Sequence, residues 1–179
     1  MKKYIVTGLV AVVAASTALA GTDAKKTVIP VEEPCKFRDT EFQVDAFALG
    51  AFYQQGSPAW GGGLGLNYFF MRYVGIGVEQ DVFGRSEETY GGGGTRWSTL
   101  GNLFLRYPIC SWNMAPYLMV GGGAVYGNGG TGVGVGHVGG GLEYRLTDNI
   151  GLFVDSRWLY SGQEPHNGCF SRAGLRFAF

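Results

Sequence analysis

Gly168-Cys-Phe-Ser-Arg-Ala-Gly-Leu-Arg-Phe-Ala-Phe179 is the stretch of sequence that decides the fold class. One alternate set of residues ends in Leu175, Phe177 and Phe179, and the other includes Arg172 and Arg176. Successive side chains of a β-strand point to opposite faces, so this alternation predicts a strand with one apolar and one charged face. An ordinary amphipathic strand shows the same pattern. Whether the apolar face contacts lipid or a protein core therefore has to be inferred from the rest of the chain.

Seven further segments upstream alternate in the same way, and residues that favour turns separate them. The predicted strands cover residues 41–53, 60–70, 73–83, 96–107, 115–126, 131–146 and 150–160. At the start of the sixth segment Val133 and Val135 are out of phase, which fits a β-bulge. Each segment reaches the length of about 9–11 residues that a tilted strand needs to cross a bilayer.

Aromatic side chains on the apolar faces sort by the end of the strand on which they lie. With the carboxyl terminus placed in the periplasm, the periplasmic row is Phe42, Tyr68, Phe70, Tyr107, Tyr144, Phe177 and Phe179. The opposite row is Phe52, Trp60, Trp97, Tyr126, Trp158 and Tyr160. Two such rows match the interfacial girdles of a membrane barrel, whereas the core aromatics of a soluble sandwich would not sort in this way.

With these eight strands and an aromatic-x-aromatic ending, the chain from about Phe42 resembles the small eight-stranded Gram-negative outer-membrane β-barrels, the OmpA transmembrane-domain and OmpX-like group. The resemblance implies an all-β, eight-stranded, antiparallel, up-and-down transmembrane β-barrel in the cell outer membrane. Eight is the smallest strand number of such barrels. The resemblance also implies that Leu175, Phe177 and Phe179 form the signal read by the barrel-assembly machinery, a partner during biogenesis.

The amino-terminal residues have the pattern of a secretory signal peptide. Lys2 and Lys3 precede an apolar run over residues 5–15, and Ala18-Leu19-Ala20 is a small-x-small cleavage site. We therefore expect a signal peptide at 1–20, a periplasmic tail at 21–40 and the barrel at 41–179. No later segment approaches the run of about eighteen apolar residues that indicates a transmembrane helix.

Composition and motif spacing argue against several classes of function. The 14 Lys and Arg residues balance the 14 Asp and Glu residues, which gives no electrostatic basis for binding nucleic acid. GxGxxG patterns begin at Gly127 and Gly134, but neither follows a strand and opens a helix, as a dinucleotide site requires. The 2 His and 3 Cys residues lack the spacing of metal ligands. We expect no cofactor and no metal.

The inward faces of the predicted strands carry charges of both signs. These residues are Asp45, Glu79, Asp81, Arg96, Arg106, Glu143, Arg145, Asp155, Arg157, Arg172 and Arg176. An eight-stranded barrel has an interior just wide enough for side chains to fill, and charges buried there without partners are costly. The sequence therefore predicts a salt-bridged plug that closes the lumen, and a small gated pore is the alternative.

His137 and His166 are the two histidines that a barrel enzyme could use. Lipid A deacylases have a His-x-Ser arrangement, but His137 is followed by Val138 and Gly139. Lipid A palmitoyltransferases use His, Asp and Ser near the outer rim, and His166 has no such neighbours in sequence. We expect a monomeric, non-enzymatic structural protein of the lipid bilayer that serves membrane integrity or surface contact. A passive pore for ions or small solutes is the alternative, and a lipid-modifying enzyme is the third class.

The three cysteines are predicted to lie on two sides of the membrane. Cys35 in the tail and Cys110 in the turn at 108–114 are periplasmic, whereas Cys169 lies at the outer end, about 25 Å away across the apolar band. A disulfide needs Cα atoms within about 7 Å, and the residues after Cys35 can extend about 20 Å beneath the barrel. We predict a Cys35–Cys110 disulfide, with Cys169 free or paired to another molecule. Three unpaired thiols are the alternative.

Overall fold

The computed structural model describes residues 35–54, 58–85, 94–127, 132–162 and 167–179, without the side chain of Arg85. The predicted signal peptide, most of the predicted tail and His166 lie outside these ranges, so what was predicted of them stays a prediction. Within the ranges described, no helix is long and apolar enough to span a membrane.

Eight antiparallel strands form a closed barrel in which each strand pairs with the next and the last pairs with the first. The strands are β1 (Glu41–Tyr53), β2 (Ala59–Met71), β3 (Val74–Arg85), β4 (Gly94–Arg106), β5 (Met114–Tyr126), β6 (Gly132–Arg145), β7 (Ile150–Ser161) and β8 (Gly168–Ala178). A short 3-10 helix, Cys110–Trp112, lies between β4 and β5. The predicted fold class is confirmed, and the predicted strand ends differ from the observed ones by a residue or two.

The last strand closes the barrel against the first. Val44 lies opposite Phe177 in the register, and Asp45 lies opposite Arg176. Beyond the end of β8, the Phe42 N–H donates to the Phe179 carbonyl at 3.2 Å and the Phe179 N–H donates back to Phe42 at 2.8 Å. Closure leaves no unpaired sheet edge, which a wall in contact with hydrocarbon requires because no water is present to satisfy the backbone.

The strands separate an exposed apolar wall from a buried interior. In β7, Leu152 and Val154 are exposed, and Phe153 and Asp155, which alternate with them, are buried. Most of the aromatic residues predicted for the two girdles are exposed in the same way. Because the two faces meet different environments, the two-residue period of apolar and polar side chains in the sequence is sufficient to assign the face on which each residue lies.

One local prediction was wrong: β6 has no bulge at Val133 and Val135. The strand pairs with β5 in an unbroken register from Gly132 to Tyr144, and Val135 is buried inside the barrel. The prediction took an inward position to be polar, whereas this part of the lumen is apolar, so valine alternates correctly there. The register shift lies instead between Phe69 and Met71, at the turn from β2 to β3.

Glycines on the inner face make room for large lumen side chains. A Cβ on Gly63 would lie 2.9 Å from Cζ of Phe47 and 2.7 Å from Oδ1 of Asp81. A Cβ on Gly141 would lie 2.5 Å from Cβ of Asp155. These contacts are too short for any larger residue, so glycine at such positions lets aromatic and charged side chains from other strands fill a narrow interior.

Candidate functional site in the barrel lumen

The first group of lumen residues, the lower charge cluster, lies near the tail end of the barrel, where β1 begins and β8 ends. Its members are Glu41, Asp45, Arg106, Glu143, Arg145 and Arg176, all buried. Arg176 donates from Nε and Nη2 to the two carboxylate oxygens of Asp45, at 2.8 and 2.6 Å. Its Nη1 also donates to Glu143 at 2.7 Å. Arg106 and Arg145 both pair with Glu41 and with Glu143.

The second group, the upper charge cluster, lies farther along the lumen and consists of Glu79, Asp81, Asp155, Arg157 and Arg172. Arg172 donates to both oxygens of Asp155, at 2.8 and 2.7 Å, and Tyr117 donates its hydroxyl to the same carboxylate at 2.7 Å. Glu79 pairs with both Arg157 and Arg172. Asp81 accepts from the Ser98 hydroxyl at 2.8 Å and lies 3.7 Å from Nη2 of Arg157. Each charge in this cluster thus has an oppositely charged group within 4 Å, as burial requires.

An apolar plug fills the lumen beyond the upper cluster, toward the far end of the barrel. Its members are Leu49, Ala51, Ala59, Phe83, Leu100, Val125, Val135, Leu159 and Phe170, none more than 8% exposed. The strands place it there directly: Phe83 is the next inward residue after Asp81, and Leu159 is the next after Arg157. Phe170 packs edge-to-face against Phe83, with ring centroids 5.5 Å apart. The sequence prediction did not include this plug.

Residues 35–40, here called the strap, cross the tail end of the lumen. Phe37 is 1% exposed, and the guanidinium groups of Arg106 and Arg145 lie 5.0 and 5.1 Å from its ring centroid. At these distances each guanidinium group makes a favourable cation–π interaction with the ring, so an aromatic side chain can pack against charged groups. Phe37 thus covers the lower charge cluster from outside the barrel.

A disulfide fastens the strap to the turn after β4. Cys35 and Cys110 are bonded, with a Cα–Cα distance of 4.9 Å. Cys169 is free and half-buried, and it pairs in register with Phe52 at the far end. The predicted pairing and the predicted separation of Cys169 therefore agree with this geometry.

Most of the predicted lumen charges lie in the two clusters, but Arg96 requires a correction. Arg96 lies opposite Phe83 in the register, which places it beyond the upper cluster and level with the plug. It is half-buried and forms no ion pair with any residue that the structure describes. Conversely, the prediction omitted Glu41, which is fully buried. Because Glu41 shares the inward phase of Gln43 and Asp45, the alternation could have revealed it.

His137 is buried in the lumen between Gly121 and Leu159. In the part of the chain that is described, no serine or carboxylate forms a hydrogen bond with either of its ring nitrogens. No group of three or more His, Cys, Asp and Glu residues in those ranges is arranged to hold a metal ion. The described lumen thus offers paired charges and packed apolar side chains as its chemistry.

Comparison with known proteins identifies the fold. No protein-family profile and no curated protein matches the chain. Among solved structures, Neisserial surface protein A is similar with a TM-score of 0.58 and 18% identity, over 78% of this chain and 96% of that one. The N-terminal β-barrel domain of Pseudomonas aeruginosa OprF has a TM-score of 0.55 and 16% identity, over 79% and 99%.

The attachment invasion locus protein Ail of Yersinia pestis, solved with the heparin analogue sucrose octasulfate, also has a TM-score of 0.55 and 16% identity, over 79% and 99%. The chain therefore has the fold of the small eight-stranded Gram-negative outer-membrane β-barrels. At these identities the similarity is one of fold, so the role has to be argued from the lumen and the wall.

Proposed function

We propose that this protein is a structural component of the outer membrane, a closed barrel that contributes to membrane integrity or surface contact and has no enzymatic activity. The observation that carries the proposal is the filling of the lumen along its length. Phe37 covers one end, two clusters of buried charges of opposite sign occupy the middle, and the apolar plug follows. We infer that these side chains interrupt any polar path for solutes along the part of the lumen that the structure describes.

The charge clusters support this role because they connect strands that are not neighbours in the barrel. Arg172 of β8 pairs with Glu79 of β3, and Arg176 of β8 pairs with Glu143 of β6. Glu41 of β1 reaches across to Arg145 of β6. Contacts across the lumen resist flattening of the cross-section, and loss of either partner would remove an ion pair from a buried network.

The outer wall supports placement in a membrane, where we propose a monomer embedded in lipid. Its midsection exposes large aliphatic side chains, for example Leu64 at 62%, Leu118 at 65% and Val138 at 61%. An apolar surface that encircles a protein needs lipid or another protein to cover it, and the aromatic rows at both ends match the two membrane interfaces. We place the tail end in the periplasm and assign Leu175, Phe177 and Phe179 to recognition by the assembly machinery.

The role in integrity is tested in cells that lack the protein. Their outer membrane is expected to admit more of a hydrophobic fluorescent dye and to become more sensitive to detergent. The parent gene should restore the barrier, and a variant that lacks Phe179 should restore it less because less folded barrel reaches the membrane. Unchanged dye uptake and detergent sensitivity in the deletion strain would contradict a role in integrity.

A further inference from the structure

The strap is held to the barrel largely by weak contacts at its surface. Lys36 donates from Nζ to the Leu146 carbonyl at 3.2 Å, and Arg38 donates from Nη2 to the Asp148 carbonyl at 2.8 Å; both contacts are exposed. Asp39 accepts from the backbone N–H and Nη2 of Arg72 in an exposed ion pair. Exposed pairs of this kind add little stability, so Phe37 is the main non-covalent anchor.

The junction between the strap and β1 is strained. Thr40, the residue before β1, has a φ of 54°. A β-branched residue adopts this left-handed region only at an energetic cost, because its side chain crowds the backbone. The native path of the strap therefore has to be imposed by its attachments, and release of the strap would let Thr40 relax.

The strongest attachment of the strap is covalent, since Cys35 is bonded to Cys110, 75 residues away in the chain. While the bond is intact, Phe37 is tethered close to its seat between Arg106 and Arg145 even when it detaches briefly. Without the bond, the strap has to be ordered by one buried ring, a long, part-buried hydrogen bond of 3.4 Å from the Arg38 N–H to Glu41 and a few exposed contacts. These act against the conformational entropy of six residues and the strain at Thr40.

We propose that the strap, residues 35–40, is a lid over the lower charge cluster and that the Cys35–Cys110 disulfide is its latch. Reduction of this bond releases the strap and uncovers the cluster at the tail end of the barrel. A dithiol supplies two electrons and two protons. The sulfur–sulfur bond breaks, Cys35 and Cys110 become thiols, and the dithiol becomes a disulfide. The eight strands stay paired, because Cys110 lies outside them and no strand depends on the bond for its ladder. Redox control of the lid would thus expose the lower charge cluster in a barrel whose role is otherwise proposed to be structural.

Trypsin provides the test, because it cleaves after Lys36 and Arg38 only when the strap leaves the barrel and fits the protease. The full chain is folded in lipid vesicles and digested with and without prior treatment with dithiothreitol, and the products are quantified by mass spectrometry. Reduction is expected to raise the rate of cleavage at these two sites at least about tenfold, as local opening becomes populated. Heat-modifiable migration on gels should show that the barrel remains folded.

Matched cysteine variants separate the latch from other effects of the reductant. A Cys35→Ser, Cys110→Ser double variant should be cleaved rapidly without dithiothreitol and should not respond to it. Cys169→Ser should behave like the parent in both conditions, because Cys169 is not part of the bond. If the reduced parent is cleaved as slowly as the oxidised parent, the non-covalent contacts hold the lid and the proposal is wrong. This readout concerns the strap alone and does not depend on whether the lumen conducts.

Discussion

The charged and the apolar parts of the lumen fill the same narrow space by different physical means. The two charge clusters rely on specific partners, such as the paired hydrogen bonds between Arg172 and Asp155. The apolar plug relies on the burial and packing of side chains that have no particular partner. The first kind of interaction is sensitive to the identity of each residue, and the second is sensitive mainly to volume.

This difference explains how the lumen can be both uniquely arranged and closed. Charges that must find particular partners across the lumen fix the register and the cross-section of the barrel. The plug excludes water beyond them, which strengthens each ion pair by keeping the local dielectric constant low. The two parts are therefore expected to respond differently to substitution, and that contrast can be measured.

Asp155→Ala is expected to have the largest effect, because it leaves Arg172 and the Tyr117 hydroxyl without their shared acceptor. We expect the free energy of unfolding to fall by about 3–5 kcal/mol, measured by urea unfolding in lipid vesicles. The matched control is Arg96→Ala, which removes an arginine that has no described ion-pair partner and should change stability by about 0.5 kcal/mol or less. A loss below about 1 kcal/mol for Asp155→Ala would mean that Glu79 or water satisfies Arg172 without Asp155, and would contradict the dependence on a specific partner.

Leu159→Ala in the apolar plug should have a smaller effect. We expect the free energy of unfolding to fall by about 2–3 kcal/mol, because neighbouring side chains can partly relax into the cavity. Leu159→Met, which nearly conserves volume, should cost less than about 1.5 kcal/mol. In the charged part, Arg172→Lys keeps the charge but loses the paired geometry, so it should be tolerated worse than Leu159→Met. Equal losses for Leu159→Met and Leu159→Ala would remove the proposed contrast between the two parts.

The smallest effect concerns Asp39 on the strap, outside the barrel wall. The side-chain hydrogen bond from Arg72, followed by its backbone N–H, lowers the pKa of Asp39 below its usual value of 3.8. A lowered pKa means that the contact stabilises the strap above the pKa of the unfolded chain, about 3.9, and that this contribution is lost as the pH falls through the lower, folded value. Carboxyl chemical shifts measured by NMR should give a lowered pKa in the parent and a pKa near the usual value in Arg72→Ala. Identical titrations would contradict the contact.

Much of the barrel could be predicted from the sequence because each strand contacts two different environments. The alternation around Asp155, with Leu152 and Val154 outward, already assigns both faces of β7. The same logic placed most of the charges of the two clusters inside. It failed at Val133 and Val135, where an inward position was assumed to be polar. It also overlooked Glu41, the first residue of β1.

The pairing of the lumen charges could not be predicted from alternation. Arg172 and Glu79 are 93 residues apart, and their contact depends on how the strands tilt and stagger when the barrel closes. The plug was missed for a related reason: Leu49, Phe83 and Phe170 are unremarkable in their own strands and form one cluster only when three strands converge. The seat of Phe37 between Arg106 and Arg145 likewise needs the position of the strap in three dimensions.

Ion conductance across planar bilayers tests the central claim, that the lumen is closed, most directly. The protein is refolded, its folded state is checked by heat-modifiable migration, and current is recorded at several voltages. A filled lumen predicts no steady current above that of the bilayer alone, both in the parent and in Cys169→Ser, which excludes effects of intermolecular disulfides. A reproducible single-channel conductance in the parent would contradict a closed barrel and would favour a passive pore for ions or small solutes.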